Sequence, residues 1–340
     1  MNTGTDYVLT LVRWYEWWFS KIQPLFLFIY LQIHYRLQDP SYSPFKAYLT
    51  TALLLFSGCS AAAYGHLVND YFDRSADDQA GKGKLLTKFS EARRLALLIL
   101  TSGLGVAPLL LLDDGRLVIG LLMIEYLVAT LYSAPPFRVK ERGILGIAFA
   151  SLAQRAIPSL FINLGFMGSM ARVSGAEAQL LVIGTLWTFM IGVRWIILHQ
   201  LRDESNDQLS NVKTFVTSNG AGTAIALKTY LVIPLELILL CLTLTIMCRQ
   251  APLLIGVIGG YLLIVILRHK WRQKYPESQE LLPFTPHILD NFYEVWLPLG
   301  FAVILTLHNP LYLGFVVMHV TLFNHNLMAL IRKMRGRFQT

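Results

Sequence analysis

Residues 69–77 read NDYFDRSAD and residues 199–207 read HQLRDESND. In the first stretch Asn69, Asp70, Asp73 and Asp77 are spaced by three and four, so a helix running through them gathers the four side chains on one face. In the second, Asp203 and Asp207 stand four apart, with His199 one turn earlier on the same face. Carboxylates stacked on one face repel each other unless a cation neutralises them. Mg2+ is the natural cation, because it prefers oxygen, keeps several waters, and is held by one or two carboxylates together with substrate phosphate. A simpler reading remains open for each stretch. The first can be a solvated helix end with Asp73 paired to Arg74 or Lys82, and the second a polar helix cap. Taken together, two acidic sets that face each other across a cavity would neutralise the charge of a departing diphosphate.

A third stretch, YSAPPFRVKERG at residues 132–143, joins two apolar runs. Pro135 and Pro136 end the preceding helix and force an extended turn. Arg138, Lys140 and Arg142 then present positive charge, Arg138 as a fork and Lys140 as a point charge, both suited to phosphate. Ordinary positive charge beside a membrane segment is the alternative. Tyr132 borders this turn, where its ring face can stabilise a carbocation or simply anchor the helix at the interface.

The elements that must position these residues are membrane helices. Only 15% of the 340 residues are charged and 54% are hydrophobic, with a mean hydropathy of +0.50, whereas a soluble domain carries about 25% charged residues. Apolar runs at 22–35, 47–68, 95–112, 116–134, 144–165, 178–199, 226–247, 251–268, 292–308 and 310–330 predict nine or ten helices, the last two being one broken unit in the lower count. The first run is short for a span, so its N-terminal part is expected in the interface, where VRWYEWW at residues 12–18 forms an aromatic belt. Most of the 29 basic residues fall in loops on the side of the acidic motifs, which puts 68–94, 136–143, 200–225 and 269–290 in the cytoplasm. The net charge of +8 then faces anionic lipid. No nucleic-acid motif accompanies it. The three cysteines, Cys59, Cys241 and Cys248, make neither a disulfide framework nor a metal spacing. The N-terminus lacks a signal-peptide layout.

The chain reads as one domain over residues 1–340. The two acidic motifs end the second and sixth apolar segments, a weak repeat that suggests two four-helix halves facing each other. Glu125, Arg155 beside Gln154, Arg194 and Glu236 lie inside apolar segments and are expected to face the bundle interior. Arg155 and Arg194 are candidate ion-pair partners for the acidic motifs.

These motifs, in this order and spacing, resemble the UbiA superfamily of intramembrane prenyltransferases, which includes UbiA-type terpene cyclases. NDYFDRSAD with the following AGK is similar to its first Asp-rich motif, RDESNDQLSNVKT to its second, YSAPPFRVK to its YSxPPxRxK loop, and RWYEWWFSK to its opening RPxxW segment. The resemblance implies a helix bundle around a lipid-open cavity, capped by the Asp-rich loops. It implies Mg2+-dependent ionisation of an isoprenyl diphosphate and capture of the allylic cation by a lipophilic acceptor or, in a cyclase, by the prenyl chain itself. It implies Mg2+–diphosphate binding by Asn69, Asp70, Asp73, Asp77, Asp203 and Asp207, with Asp73 and Asp203 central to catalysis. Phosphate contacts would come from Arg13, Asn69, Lys82, Arg138, Lys140 and Lys213, and Tyr132 would sit near the developing cation. Trp14 stands where the family has proline, Asn211 where it has glycine, and His199 where many members carry another polar residue. A cation transporter with acidic rings is the remaining alternative, disfavoured by the basic residues beside both acidic motifs.

Overall fold

The structure is a computed structural model that describes residues 4–74, 84–168, 173–209, 212–274 and 286–323. The described residues form helices and contain no strand. Among the described residues, seven helices are long and apolar enough to cross a membrane: α1 (Pro44–Phe72), α2 (Glu91–Leu111), α3 (Arg116–Ser133), α4 (Ile144–Met167), α5 (Gly175–Leu209), α6 (Ala221–Gln250) and α7 (Ile288–His308). Leu254–Leu267 and Pro310–Leu322 are shorter apolar helices. The first apolar run becomes a helix only over Leu25–Arg36. At 1.5 Å per residue its 12 residues reach about 18 Å, short of a hydrocarbon core of about 30 Å.

Among the described residues, four π-helical turns interrupt this pattern, at Trp18–Ile22, Leu152–Ala156, Lys228–Val232 and Phe292–Trp296. Each ends two residues before a proline: Pro24, Pro158, Pro234 and Pro298. A proline has no N–H to donate and its ring collides with the carbonyl four residues back, so the turn there widens. The freed carbonyls belong to Ser20, Gln154, Tyr230 and Glu294. The Glu294 carbonyl is satisfied by Gln23 Nε2 at 3.0 Å.

The chain clusters into two compact units. One comprises Met1–Ile22 and Leu49–Ile246, the other Gln23–Tyr48 and Met247–Thr340. Both acidic motifs belong to the first unit. In the second unit the Leu25–Arg36 helix is buried without a break from Leu25 to Ile33. Its Tyr30 hydroxyl donates to the Phe315 carbonyl at 3.1 Å. In the first unit, Gly192 of α5 lies against Ser151 of α4, where a Cβ on residue 192 would come 2.9 Å from the Ser151 Cα. Arg194, about two and a half turns of α5 before Asp203, forms a buried two-pronged ion pair with Glu236 of α6, Nε–Oε2 2.7 Å and Nη2–Oε1 3.1 Å. The sequence had offered Arg194 as a partner of the acidic motifs. The structure gives it to Glu236, because both side chains lie inside apolar helices, where an unpaired charge is costly.

Candidate functional site

The helical ladder of α1 runs into the first acidic motif, with the Asp73 N–H donating to the Asn69 carbonyl at 3.0 Å. Asn69, Asp70 and Asp73 therefore share one helix end, as their spacing predicts. Asp70 is only 3% exposed and receives two cations. Arg13 Nη1 donates to Asp70 Oδ1 at 2.9 Å, and Lys84 Nζ donates to the same oxygen at 2.6 Å. Asp73 receives two more, Arg138 Nη2 at 3.2 Å and Lys140 Nζ in close contact with both carboxylate oxygens. Lys140 Nζ and Ser133 Oγ both donate to Asn69 Oδ1, each at 3.2 Å. Burial holds the Lys140 ammonium below its usual range, against the pull of Asp73.

The four cations are brought in by three segments, Arg138 and Lys140 by the same loop. A small apolar cluster of Leu11, Leu67 and Leu86 ties the Gly4–Leu11 helix and the Leu85–Lys88 turn to the end of α1, which sets Arg13 and Lys84 beside Asp70. Arg13 is also gripped by Glu16, with Nε–Oε1 at 2.8 Å and a second, shorter contact from Nη2. The hydrogen bond from Arg13 holds the Glu16 carboxyl below its usual range despite partial burial. On the other side, α3 stops at Ser133 and Ala134 is extended, as the two prolines demand. The Pro135–Pro136 bond is cis. The Arg138 N–H closes the turn on the Ala134 carbonyl at 2.8 Å, and Arg138 Nε donates to Glu141 Oε1 at 2.6 Å. Arg142 does not join the acidic motif. It clamps the loop through the carbonyls of Phe137 and Pro136, at 2.6 and 3.1 Å.

Two of these cations sit on left-handed backbone, Arg13 at φ 54° and Arg138 at φ 39°. That conformation costs a non-glycine residue about 1–3 kcal/mol and persists where its surroundings over-determine it, commonly at functional sites. Both side chains are held at two ends, by an acidic motif residue and by a glutamate three residues on.

The second motif ends α5. His199 Nδ1 lies 3.4 Å from Asp203 Oδ2 one turn away. The Asp207 carbonyl accepts from the Val212 N–H at 2.8 Å, and a Thr214–Thr217 capping box starts the short helix Phe215–Asn219. Gln200 Oε1 ties that helix back to α5 by accepting from the Val216 N–H at 3.3 Å. Lys213 is exposed on the intervening loop. Tyr132 connects the two motifs. It packs on a core of Ile147, Val193, Phe215 and Val216, and its hydroxyl lies in the electrostatic field of both Asp73 and Asp207.

The site thus brings together Asn69, Asp70, Asp73, Arg13, Arg138 and Lys140 from the sequence expectations, with Tyr132 between the motifs. Asp203 and Asp207 lie on the same unit, at the end of α5. Asp77, Lys82 and Asn211 lie outside the described residues. Lys84, Glu16 and Ser133 were not anticipated as site residues. Lys84 carried a weak signal, as the second lysine of the GKGK run. Among the described residues no three His, Cys, Asp or Glu side chains are grouped to chelate an ion by themselves. The oxygen-only donor set of Asn69, Asp70 and Asp73 fits Mg2+.

The profile of the UbiA prenyltransferase family matches residues 25–285. Comparison with curated proteins finds no match. Among solved structures, the fold is similar to a UbiA homolog from Archaeoglobus fulgidus bound to DMAPP and Mg2+, with TM-score 0.60 and 16% identity over 91% of this chain and 98% of that one. It is likewise similar to a UbiA homolog from the same organism bound to GPP and Mg2+, with TM-score 0.56 and 18% identity over 91% of this chain and 99% of the other. A third similar structure is described as concerning a digeranylgeranylglyceryl phosphate synthase in membranes, with TM-score 0.53 and 15% identity over 93% and 99% of the two chains.

Proposed function

Because this chain belongs to the UbiA prenyltransferase family, we propose that it is an Mg2+-dependent intramembrane transferase which ionises an isoprenyl diphosphate and passes the prenyl group to a lipophilic, aromatic acceptor. The observation that carries this reading is the partnering of two carboxylates at one helix end with four cations from other segments: Asp70 with Arg13 and Lys84, Asp73 with Arg138 and Lys140. A diphosphate arriving with its metal presents both charges at once, so each ion pair has an exchange partner. With the diphosphate and its ion bound, the carboxylates would hold the metal and the four cations would hold phosphate oxygens. Arg13 and Arg138 offer forked donors, and Lys84 and Lys140 offer point charges. Asn69, Asp70, Asp73, Asp77, Asp203 and Asp207 would hold the ion, with Lys82 and Lys213 as further phosphate contacts. Bound there, Mg2+ supplies charge neutralisation to the leaving diphosphate.

The prenyl tail favours the apolar interior by about 0.8 kcal/mol per CH2. Tyr132, in the field of Asp73 and Asp207, is where a developing allylic cation meets a ring face. Following the distribution of Lys and Arg, the motif end of the bundle is placed on the cytoplasmic side of a multi-pass membrane protein.

The test incubates purified protein with Mg2+ and geranyl, farnesyl or geranylgeranyl diphosphate, with and without aromatic acceptors, and follows products by mass spectrometry. Prenylated acceptor is the expected result. A cyclic hydrocarbon or alcohol formed without acceptor would replace transfer by cyclisation at the same diphosphate site. No Mg2+-dependent loss of any prenyl diphosphate would refute both.

A further inference from the structure

Arg94 stands in the first turn of α2 and is 6% exposed. Its Nε is enclosed by protein and has no hydrogen-bond acceptor. Among the described residues its one side-chain partner is the ring of Tyr71, with the guanidinium carbon 5.7 Å from the ring centroid. Arg13, Lys84, Arg138, Lys140 and Arg194 are placed otherwise, each against a carboxylate. A ring face returns less than the hydration that a buried guanidinium gives up. The nearest acid in the sequence does not make up the difference. Glu91, three residues earlier, is exposed, and its Oε1 accepts from the Tyr71 hydroxyl at 3.2 Å.

The same place holds unused hydrogen-bond donors. Ser90 precedes α2 in extended conformation, and its side chain caps nothing. The Arg94 N–H returns to the Ser90 carbonyl at 3.1 Å. The N–H groups of Glu91, Ala92 and Arg93 come before it, where a helix has no acceptor of its own to offer. Such a helix start carries partial positive charge and attracts anions. Tyr71 ties the two features together, since its ring lies under Arg94 and its hydroxyl reaches the first residue of α2. Lys88 and Arg93 add exposed positive charge nearby. With 3.6 residues per turn, Tyr71 points nearly opposite to Asn69 and Asp73 on α1. It packs with the Leu11, Leu67 and Leu86 cluster, away from the acidic motif. Among the seven spans, α2 is the one least covered by protein. Its exposed Leu95, Ile99, Leu100 and Leu104 continue from Arg94 as an apolar track.

We propose that the start of α2 binds a phosphate group carried by a membrane phospholipid, apart from the diphosphate site. Arg94 supplies the counter-charge and a planar fork of donors. The N–H groups of the first turn supply further donors. The acyl chains lie along the track from Leu95 to Leu104. A phosphodiester carries one negative charge, which balances one guanidinium. An occupied site holds α2 to the end of α1 through Tyr71, so occupancy is read as stability.

The test uses the full-length protein, stripped of lipid in detergent, with dioleoylphosphatidylglycerol, dioleoylglycerol and inorganic phosphate as probes. Phosphatidylglycerol should raise the melting temperature by about 2 °C or more. Dioleoylglycerol, with the same chains and no phosphate, should not. Arg94→Gln keeps a polar side chain without the charge. It should retain phosphatidylglycerol about tenfold less well in native mass spectrometry and lose the thermal shift. Arg116→Gln, beyond the other end of α2, also removes one charge and should keep both. Equal shifts from the two lipids in wild type would overturn the proposal, and that comparison stands even if Arg94→Gln does not fold. Wild-type retention of phosphatidylglycerol by Arg94→Gln would do the same. So would an Arg94→Gln variant destabilised equally with and without lipid, the behaviour of a guanidinium paired within the chain. An Arg94-dependent shift of equal size with inorganic phosphate would support the phosphate site and overturn its lipid source.

Discussion

Arg13 and Arg138 occupy left-handed backbone that glycine would adopt without strain. Replacing Arg138 by glycine removes both the strain and the side chain, whereas replacing it by alanine removes the side chain alone. Arg138→Gly should therefore melt above Arg138→Ala in detergent. Both should raise KM for the prenyl diphosphate about 10- to 100-fold, the worth of one charge-assisted hydrogen bond. An alanine variant that melts at or above the glycine variant would remove the strain argument. Lys21 gives a pH dependence. Burial pushes its ammonium down to about 8, with Glu125 and Glu16 favouring the charge and Arg13 and Arg155 opposing it, beside the His66 ring. The unfolded chain keeps that proton up to the ordinary lysine range, so stability should rise as pH climbs from about 8 toward that range. Lys21→Met should flatten that rise, and an unchanged profile of melting temperature against pH in the variant would count against a buried Lys21 ammonium. The motif residues Asn69, Asp70 and Asp73 were legible at this scale. Their partners were less so, because left-handed backbone at an arginine leaves no mark such as glycine or asparagine in the sequence.

Among the elements, α5 carries the second acidic motif, and two contacts fix its position. The Arg194–Glu236 pair is 2% and 0% exposed. Removing one partner of a buried pair strands the other at a cost of roughly 3–5 kcal/mol, whereas replacing both by apolar groups is often neutral. Arg194→Met and Glu236→Leu should each lower the melting temperature more than the double variant does. Additive losses in that cycle would show that the two side chains act independently. Gly192 allows α5 to approach α4 at Ser151. Gly192→Val should push the helices apart, lower stability and cut turnover, while Gly256→Ala, which meets open space, should do neither. The π-helical turns were present in the sequence as prolines inside apolar runs, a signal for interrupted helices. Their consequence for Lys21 and Arg155 was not, since the direction of a side chain on a widened turn depends on packing.

For the whole molecule, hydropathy and the three spaced motifs were enough to foretell an all-helical membrane protein of the UbiA family. The number of spans was harder to read. The Leu25–Arg36 run is apolar enough to resemble a membrane segment, but it is buried by protein over most of its length. Periodicity cannot distinguish burial in protein from burial in lipid. The unit boundaries also escaped the sequence, because the repeat of acidic motifs says where charge recurs and not which helices pack together. What unites the scales is one proposed charge arrangement: carboxylates from α1 and α5 to hold a metal, and cations from three other segments to hold a diphosphate. The most direct measurement is equilibrium binding of geranylgeranyl diphosphate to the purified protein with and without Mg2+, in wild type and in Asp73→Ala and Asp203→Ala, with insertion checked by the melting profile. The account expects tight binding in wild type that disappears when Mg2+ is chelated, and loss of binding and turnover in both correctly inserted variants. Wild-type affinity in either variant, or in the absence of Mg2+, would contradict it.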